Sequence, residues 1–319
     1  MLIISVRLYA QTPYTSQIFT ATNFCNPAGV GFGVDNQFQT FYRSQFSGVG
    51  EPYKTIGVGA DFALFRKEGY NNFGMGFQGM SEQILNGILK TNTITVSIAD
   101  RIYLNKLKTS NIALGISSTL ITRNLDRSAL TFGDQYNSGR LFNTTSLETV
   151  GNFPTRYSTN AGIMYSFVSP ESYLQLGGST FYINRSSTSQ TYGKVDQIFQ
   201  FIGTLNYERL YDDNKTILFH ADYQNRLETE YFYFGAALGL PMNNLIDNQN
   251  RMYFGCFYRT KDAIVPYVGM IYNKYKIGLT YDVYQSNMAM SSLHPQTFEF
   301  SLSTYLTHRL SENLRSLFN

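Results

Sequence analysis

Hydrophobic and polar residues alternate along most of this chain. In YKIGLTYDVY, residues 275–284, the positions Tyr275, Ile277, Leu279, Tyr281 and Val283 are all apolar or aromatic. Between them stand Lys276, Gly278, Thr280, Asp282 and Tyr284, a polar or small set with a cation near one end and an anion near the other. Successive side chains of a strand point to opposite faces, so this period of two predicts a strand with one apolar face. The pattern recurs. TITVSIADRIYL places Ile94, Val96, Ile98, Asp100, Ile102 and Leu104 together, and NIALGISSTL places Ile112, Leu114, Ile116, Ser118 and Leu120 together. STNAGIMYSF gives Ala161, Ile163, Tyr165 and Phe167, and TFEFSLSTYL sets Phe298, Phe300 and Leu302 against Glu299, Ser301 and Ser303. Helical periodicity is nearly absent, and THRLSENLRSLFN at the C-terminus is the best candidate for a short helix or a loose tail.

About 14 such segments can be marked, from 38–47 through 296–305. Their connectors carry turn chemistry, as in YDDNK at 211–215 and Ser169-Pro170-Glu171-Ser172. Longer connectors at 123–156 and 183–196 are rich in Ser, Thr, Asn and Gly, as loops facing water should be. The apolar faces could pack on a second sheet, as in a soluble sandwich, or face hydrocarbon, as in a membrane barrel. Strands of about ten residues suit a tilted bilayer crossing. An even strand count and partly alternating long and short connectors suit a barrel with its polar face inward. The reading is therefore all-β, a transmembrane antiparallel up-and-down β-barrel over 38–306. Asp100 falls on the apolar face, which calls for either a bulge or a place at the membrane edge.

Composition sharpens this picture. Charged residues are 15% of the 319, below the roughly 25% of ordinary soluble domains. Tyr and Phe, 25 of each, supply aromatic girdles although Trp is absent. Mean hydropathy is −0.20, and no run approaches the ~20 apolar residues of a membrane helix. A net charge of +3 without basic blocks gives no sign of nucleic-acid binding. MLIISVRLYA, residues 1–10, reads as the remnant of a signal peptide, with Ala10–Gln11 a plausible cleavage point. Residues 11–37 then form an N-terminal periplasmic or plug segment, and 307–319 a C-terminal tail.

Candidate chemistry is sparse. Cys25 and Cys256 lack metal-site spacing and nearby histidines, ATNFC lacks a lipoprotein pattern, and a disulfide between them is not expected. His220, His294 and His308 are scattered, with no triad or metal pattern, and no G-x-S-x-G occurs. His220 shares the polar face of its strand with Asp222, which suggests a hydrogen bond in the lumen. GMGFQG at 74–79 spells a dinucleotide fingerprint, but it lies inside an alternating strand, where glycines serve close packing or curvature. GVGFG at 29–33 is a false match of the same kind. No catalytic, cofactor-binding or metal residues are assigned.

Several blocks resemble the PorP/SprF family of Bacteroidetes outer-membrane proteins. GCFYRTKDAIVPYVGMIYNKYKIGLTYDVYQSN, residues 255–287, followed by FEFSLSTYL, is similar to its C-terminal half. That region holds Tyr258-Arg259, Pro266 to Gly269, Ile277 to Ser286, and Phe298 to Leu302. Asn26-Pro27-Ala28 resembles its Asn-Pro-Ala motif. YRSQF at 42–46 resembles its first strand, with Phe46 where Trp is usual. The middle, about 123–230, matches only as strand pattern. The resemblance implies a non-enzymatic barrel, without cofactors, that anchors or helps export large type IX secreted surface proteins, gliding adhesins among them. Its implied partners are a secreted surface protein with a C-terminal sorting domain, periplasmic lipoprotein components of the secretion machine, and outer-membrane lipid.

Candidate partner-binding or lumen-network residues are Asn26, Pro27, Tyr42, Arg43, Gln45, Tyr258, Arg259, Asp282 and Glu299. Tyr42 and Tyr258 should face away from Arg43 and Arg259. The arginines should face the lumen, paired to Asp282 or Glu299, because buried guanidinium groups need partners. Asn26 to Ala28 form either a plug or docking element or a plain tight turn. Three functions remain open at this level: a secretion-linked anchor, a passive pore or small-ligand channel, and a soluble or surface sandwich adhesin. The register makes a test: Leu279→Arg should impair assembly, and Thr280→Arg should be far milder.

Overall fold

The computed structural model describes residues 15–305, apart from 21, 32–35, 49, 65–71, 136–145, 147–152, 185–186, 191–192, 197–198, 212–214, 227–228, 243–249 and 286–294. The expected signal remnant, the C-terminal tail, His294 and His308 lie outside the described residues.

Alternation produces strands nearly wherever it occurs. The first half of the wall is β1 (Gln37–Ser47), β2 (Tyr53–Leu64), β3 (Asn72–Ile84), β4 (Leu89–Tyr103), β5 (Ser110–Leu125), β6 (Arg156–Val168) and β7 (Ser172–Phe181). A separate hairpin follows, β8 (Ser187–Gln190) and β9 (Gly193–Asp196). The second half is β10 (Gln200–Tyr211), β11 (Lys215–Arg226), β12 (Thr229–Pro241), β13 (Arg251–Arg259), β14 (Ala263–Tyr272), β15 (Tyr275–Tyr284) and β16 (Gln296–Tyr305). β1–β7 and β10–β16 form one closed antiparallel barrel of 14 strands, each beside its neighbour in the chain, and β16 returns to pair with β1. Closure leaves no sheet edge, the condition for strands to cross a bilayer. The β8–β9 hairpin falls in the expected 183–196 loop. Its strands are four residues long and its sequence polar, so no apolar alternation announces it.

The outer face is apolar. Ile94, Ile116, Ile163, Phe234, Phe254, Val268, Leu279 and Phe298 are all exposed there. A continuous apolar surface of this size is unstable in water and is explained by hydrocarbon. Tyr211, Tyr272 and Tyr275 are exposed at strand ends, where aromatic girdles form. Asp100 faces outward without a bulge, since β4 stays in unbroken register with β3 and β5. It lies three residues from the end of β4, which leaves the membrane-edge alternative.

The inner face differs from the purely polar lumen that alternation implied. Tyr173, Leu218, Tyr233, Tyr253, Phe257, Val265, Tyr267 and Ile271 are buried inside and form an apolar cluster with Phe19. Alternation assigns each residue to a face but does not say what fills the barrel. The strand ends that flank 126–155, 182–199 and 285–295 lie at one rim. The short turns 104–109, 169–171 and 273–274 share the other, which is the periplasmic rim in barrels of this kind.

Candidate functional site

The lumen holds part of the chain that precedes β1. Residues 15–31, termed the strap, lie within the barrel rather than beside it. The strap contains three short turns, Ile18–Thr20, Thr22–Cys25 and Pro27–Gly29, and most of its described residues are buried. Gly31 sits near the periplasmic rim, where Arg101 Nη2 donates to its carbonyl at 3.2 Å. From there the strap rises to Thr15, which lies beside Glu299 in the outer half.

Five wall positions make room for it. A Cβ on Gly74 would lie 2.2 Å from the Val30 carbonyl oxygen, and one on Gly76 2.5 Å from Val30 Cγ1. At Gly115 it would stand 2.4 Å from Ala28 N, at Gly162 2.0 Å from Asn26 Oδ1, and at Gly278 2.1 Å from Gln17 Oε1. The apparent dinucleotide fingerprint at 74–79 is thus part of a groove for the chain's own segment. Gly115→Ala should cost about 1–3 kcal/mol through overpacking against backbone that cannot rotate away. Gly203→Ala, which would meet only the Phe201 ring at 3.5 Å, should be near neutral. Thermal midpoints of the two purified variants in detergent check the contrast.

Asn26 and Pro27 lie in the strap. Asn26 caps the Pro27–Gly29 turn, its Oδ1 accepting from Ala28 N at 2.9 Å. Its Nδ2 donates to the Ile163 and Gly178 carbonyls at 3.1 and 3.4 Å. It is therefore both a turn residue and a contact to β6 and β7. Phe19 fills an aromatic box, its ring 5.2 Å from each of His220, Phe257 and Tyr267 and stacked on Phe257. His220 is held beneath it, with Nδ1 2.5 Å from Asn206 Oδ1 and Nε2 3.3 Å from Asp222 Oδ2. Asn23 Nδ2 donates to the Asp61 carboxylate.

The outer end of the strap rests in a charged cradle. Arg43 donates through Nη1 to Glu299 Oε2 at 2.9 Å and through Nη2 to Asp282 Oδ2 at 3.1 Å. Arg259 reaches the same Asp282 oxygen at 2.7 Å. These four residues stand on β1, β13, β15 and β16, and all are buried. Each guanidinium meets two carboxylates, since Arg259 Nε also donates to Asp262 at 2.5 Å at the partly exposed margin, and this pairing lets the cluster persist away from bulk water. The strap completes it with neutral donors. Ser16 N and Gln17 N donate to Glu299 at 2.8 and 3.0 Å, and the Thr15 hydroxyl donates to its Oε1. The Ser16 hydroxyl donates to Asp282 at 3.2 Å and accepts from Arg43 at 2.7 Å. Ser301 Oγ donates to Gln17 Oε1 at 2.5 Å.

Of the residues singled out in the sequence, Arg43, Arg259, Asp282 and Glu299 come together here. Gln45 stands at the margin, its Oε1 accepting from Arg43 Nε at 3.5 Å. Tyr42 and Tyr258 do not join them. Each occupies the opposite parity from its arginine, and Tyr258 is exposed on the lipid face. Sequence reasoning missed Thr15, Ser16, Gln17, Phe19 and Asn23. The available signal was the series of glycines on inward-facing parity, which left space that the wall itself does not fill. Cys25 is buried in the strap and Cys256 is exposed on the outer face, both as free thiols.

Comparison with known proteins fits this geometry. No curated protein matches the chain. Among solved structures, it is similar to the TodX deltaS2S3 mutant monoaromatic hydrocarbon channel, TodX being the P. putida toluene transporter, at 12% identity and a TM-score of 0.52, covering 93% of this chain and 95% of that one. It is similar too to the CymD monoaromatic hydrocarbon channel, at 8% identity and a TM-score of 0.51, covering 95% and 96%. At these identities the likeness is one of fold. The sequence model of the family described as type IX secretion system membrane protein PorP/SprF matches residues 8–304. With its apolar outer belt and closed wall, the chain belongs to the PorP/SprF family of type IX secretion membrane proteins and is an outer-membrane barrel.

Proposed function

We propose that this barrel anchors or helps export a large type IX secreted surface protein, through protein–protein contacts and without catalysis. The observation that carries the reading is the occupied lumen. A solute channel needs an open passage lined by polar or charged rings. Here the strap, the aromatic cluster around Phe19 and the ion-paired cradle occupy that space among the described residues. A barrel filled in this way is suited to offering its rims and connectors to other proteins. Family membership supports a partner within the secretion pathway. The partners proposed are a secreted surface protein carrying a C-terminal sorting domain and periplasmic lipoprotein components of the machine.

The test is gentle detergent extraction from the native envelope, affinity purification through a tag on this chain, and identification of stoichiometric partners by mass spectrometry. Recovery of one large secreted protein, retained through its C-terminal domain, is the expected result. Recovery of periplasmic ring components alone would assign the protein to the machine rather than to one cargo. Recovery of neither would refute the anchor.

A further inference from the structure

Thirteen of the fourteen wall contacts join strands that follow one another around the chain. The remaining one, β1 with β16, joins its two ends. Arg43 and Glu299 face each other across it, 256 residues apart in sequence. No hairpin turn assists this pairing, so it carries the largest loop-closure cost of the wall. It is also irregular. Register runs without a break from Gln37↔Tyr305 to Ser44↔Phe298, then shifts before Ser47↔Gln296. Within the shift, Phe46 adopts φ 63°, a left-handed conformation strained for an aromatic residue. Its N–H leaves the ladder and donates to the Thr297 hydroxyl at 3.2 Å.

The outer end of the strap converges on the same place. Thr15, Ser16 and Gln17 all donate to Glu299 of β16. Ser16 accepts from Arg43 of β1. Gln17 Nε2 donates to the Glu299 carbonyl at 3.2 Å, and its Oε1 accepts from Ser301, again on β16. We propose that Thr15–Gln17 is a clamp on the closing seam. The docked strap holds β1 and β16 together beside the bulge, and its undocking loosens that seam before any other pair of strands. The barrel thereby gains a site of controlled lateral opening whose latch lies in the lumen. This inference does not depend on which partner the protein serves.

The test removes the clamp from the strap side, leaving the cradle intact. Thr15→Val with Ser16→Pro and Gln17→Pro removes both backbone donors to Glu299, because proline has no N–H, and also both side-chain hydroxyls. In a Cys25→Ser, Cys256→Ser background, two staples are compared. Thr40→Cys with Leu302→Cys bridges register partners across the seam. Thr95→Cys with Thr119→Cys bridges partners on β4 and β5 and serves as the control. The clamp variant should lose several degrees of thermal midpoint, the seam staple should restore most of the loss, and the control staple should not. Hydrogen exchange should accelerate first in Gln37–Ser47 and Gln296–Tyr305. If the clamp variant fails to assemble, the seam staple alone should recover assembly. An unchanged midpoint, equal rescue by both staples, rescue by neither, or exchange rising evenly around the wall would each overturn the proposal.

Discussion

Glu299→Ala should destabilise the barrel more than any other single change considered, by about 3–5 kcal/mol, the cost of breaking a buried ion pair by removing one member. The substitution leaves Arg43 with Asp282 alone, a carboxylate that Arg259 shares, and removes the acceptor for Thr15, Ser16 and Gln17 together. The strap loses its outer anchorage while Asn26 and Val30 still hold its lower part. Glu299→Gln keeps the shape but turns one acceptor into a donor, facing either Arg43 or the strap amides, so it should lie between alanine and the native protein. Urea unfolding in detergent micelles gives the ranking. Limited proteolysis of the folded variants should show cleavage near Thr15 before any cleavage in the wall. A Glu299→Ala protein as stable as the native one would mean that the cradle does not hold the strap in solution.

Leu279→Arg comes next, at about 2–4 kcal/mol for a basic residue near mid-membrane on the lipid face. Leu279 stands in the middle of β15 and is exposed outward. The measurement is the fraction of protein that assembles into lipid vesicles. The companion change no longer serves as a mild control. Alternation alone makes Thr280→Arg a tolerated lumen substitution, but Thr280 is 3% exposed and its hydroxyl lies 3.5 Å from Gln17 Nε2. An arginine there must displace the strap. The expected result is a protein that assembles but is destabilised, with the strap rather than the wall at fault. Phe298→Leu, outward and apolar for apolar, is the better mild control.

The wall was legible because its rule is local. A strand in a bilayer must show one apolar face, and a period of two can be counted from residues such as Ile94 to Leu104 without knowing their neighbours. β15 matches its sequence reading residue for residue. The pairing of Arg43 and Arg259 with Asp282 and Glu299 was legible as a need, since guanidinium groups on inward parity require anions. The strap was not. TSQIFT, residues 15–20, has no period, and its side chains meet surfaces far along the chain, as Thr15 meets Glu299 and Phe19 meets His220 and Phe257. Nor does alternation separate a polar lumen from an aromatic one. Val265, Tyr267 and Ile271 sit on the inner parity of β14 because Phe19 and its neighbours pack there. The inward glycines Gly74, Gly76, Gly115 and Gly162 hinted at both facts, but a glycine records only that space is needed, and not what occupies it.

The central claim is that the lumen is closed by the protein's own strap and that the barrel works through protein contacts rather than by passing solutes. Single-channel recording of the purified protein in planar lipid bilayers tests this most directly. The native protein should show no steady ohmic conductance. A stable conductance with the strap in place would contradict a closed lumen and make the protein a channel.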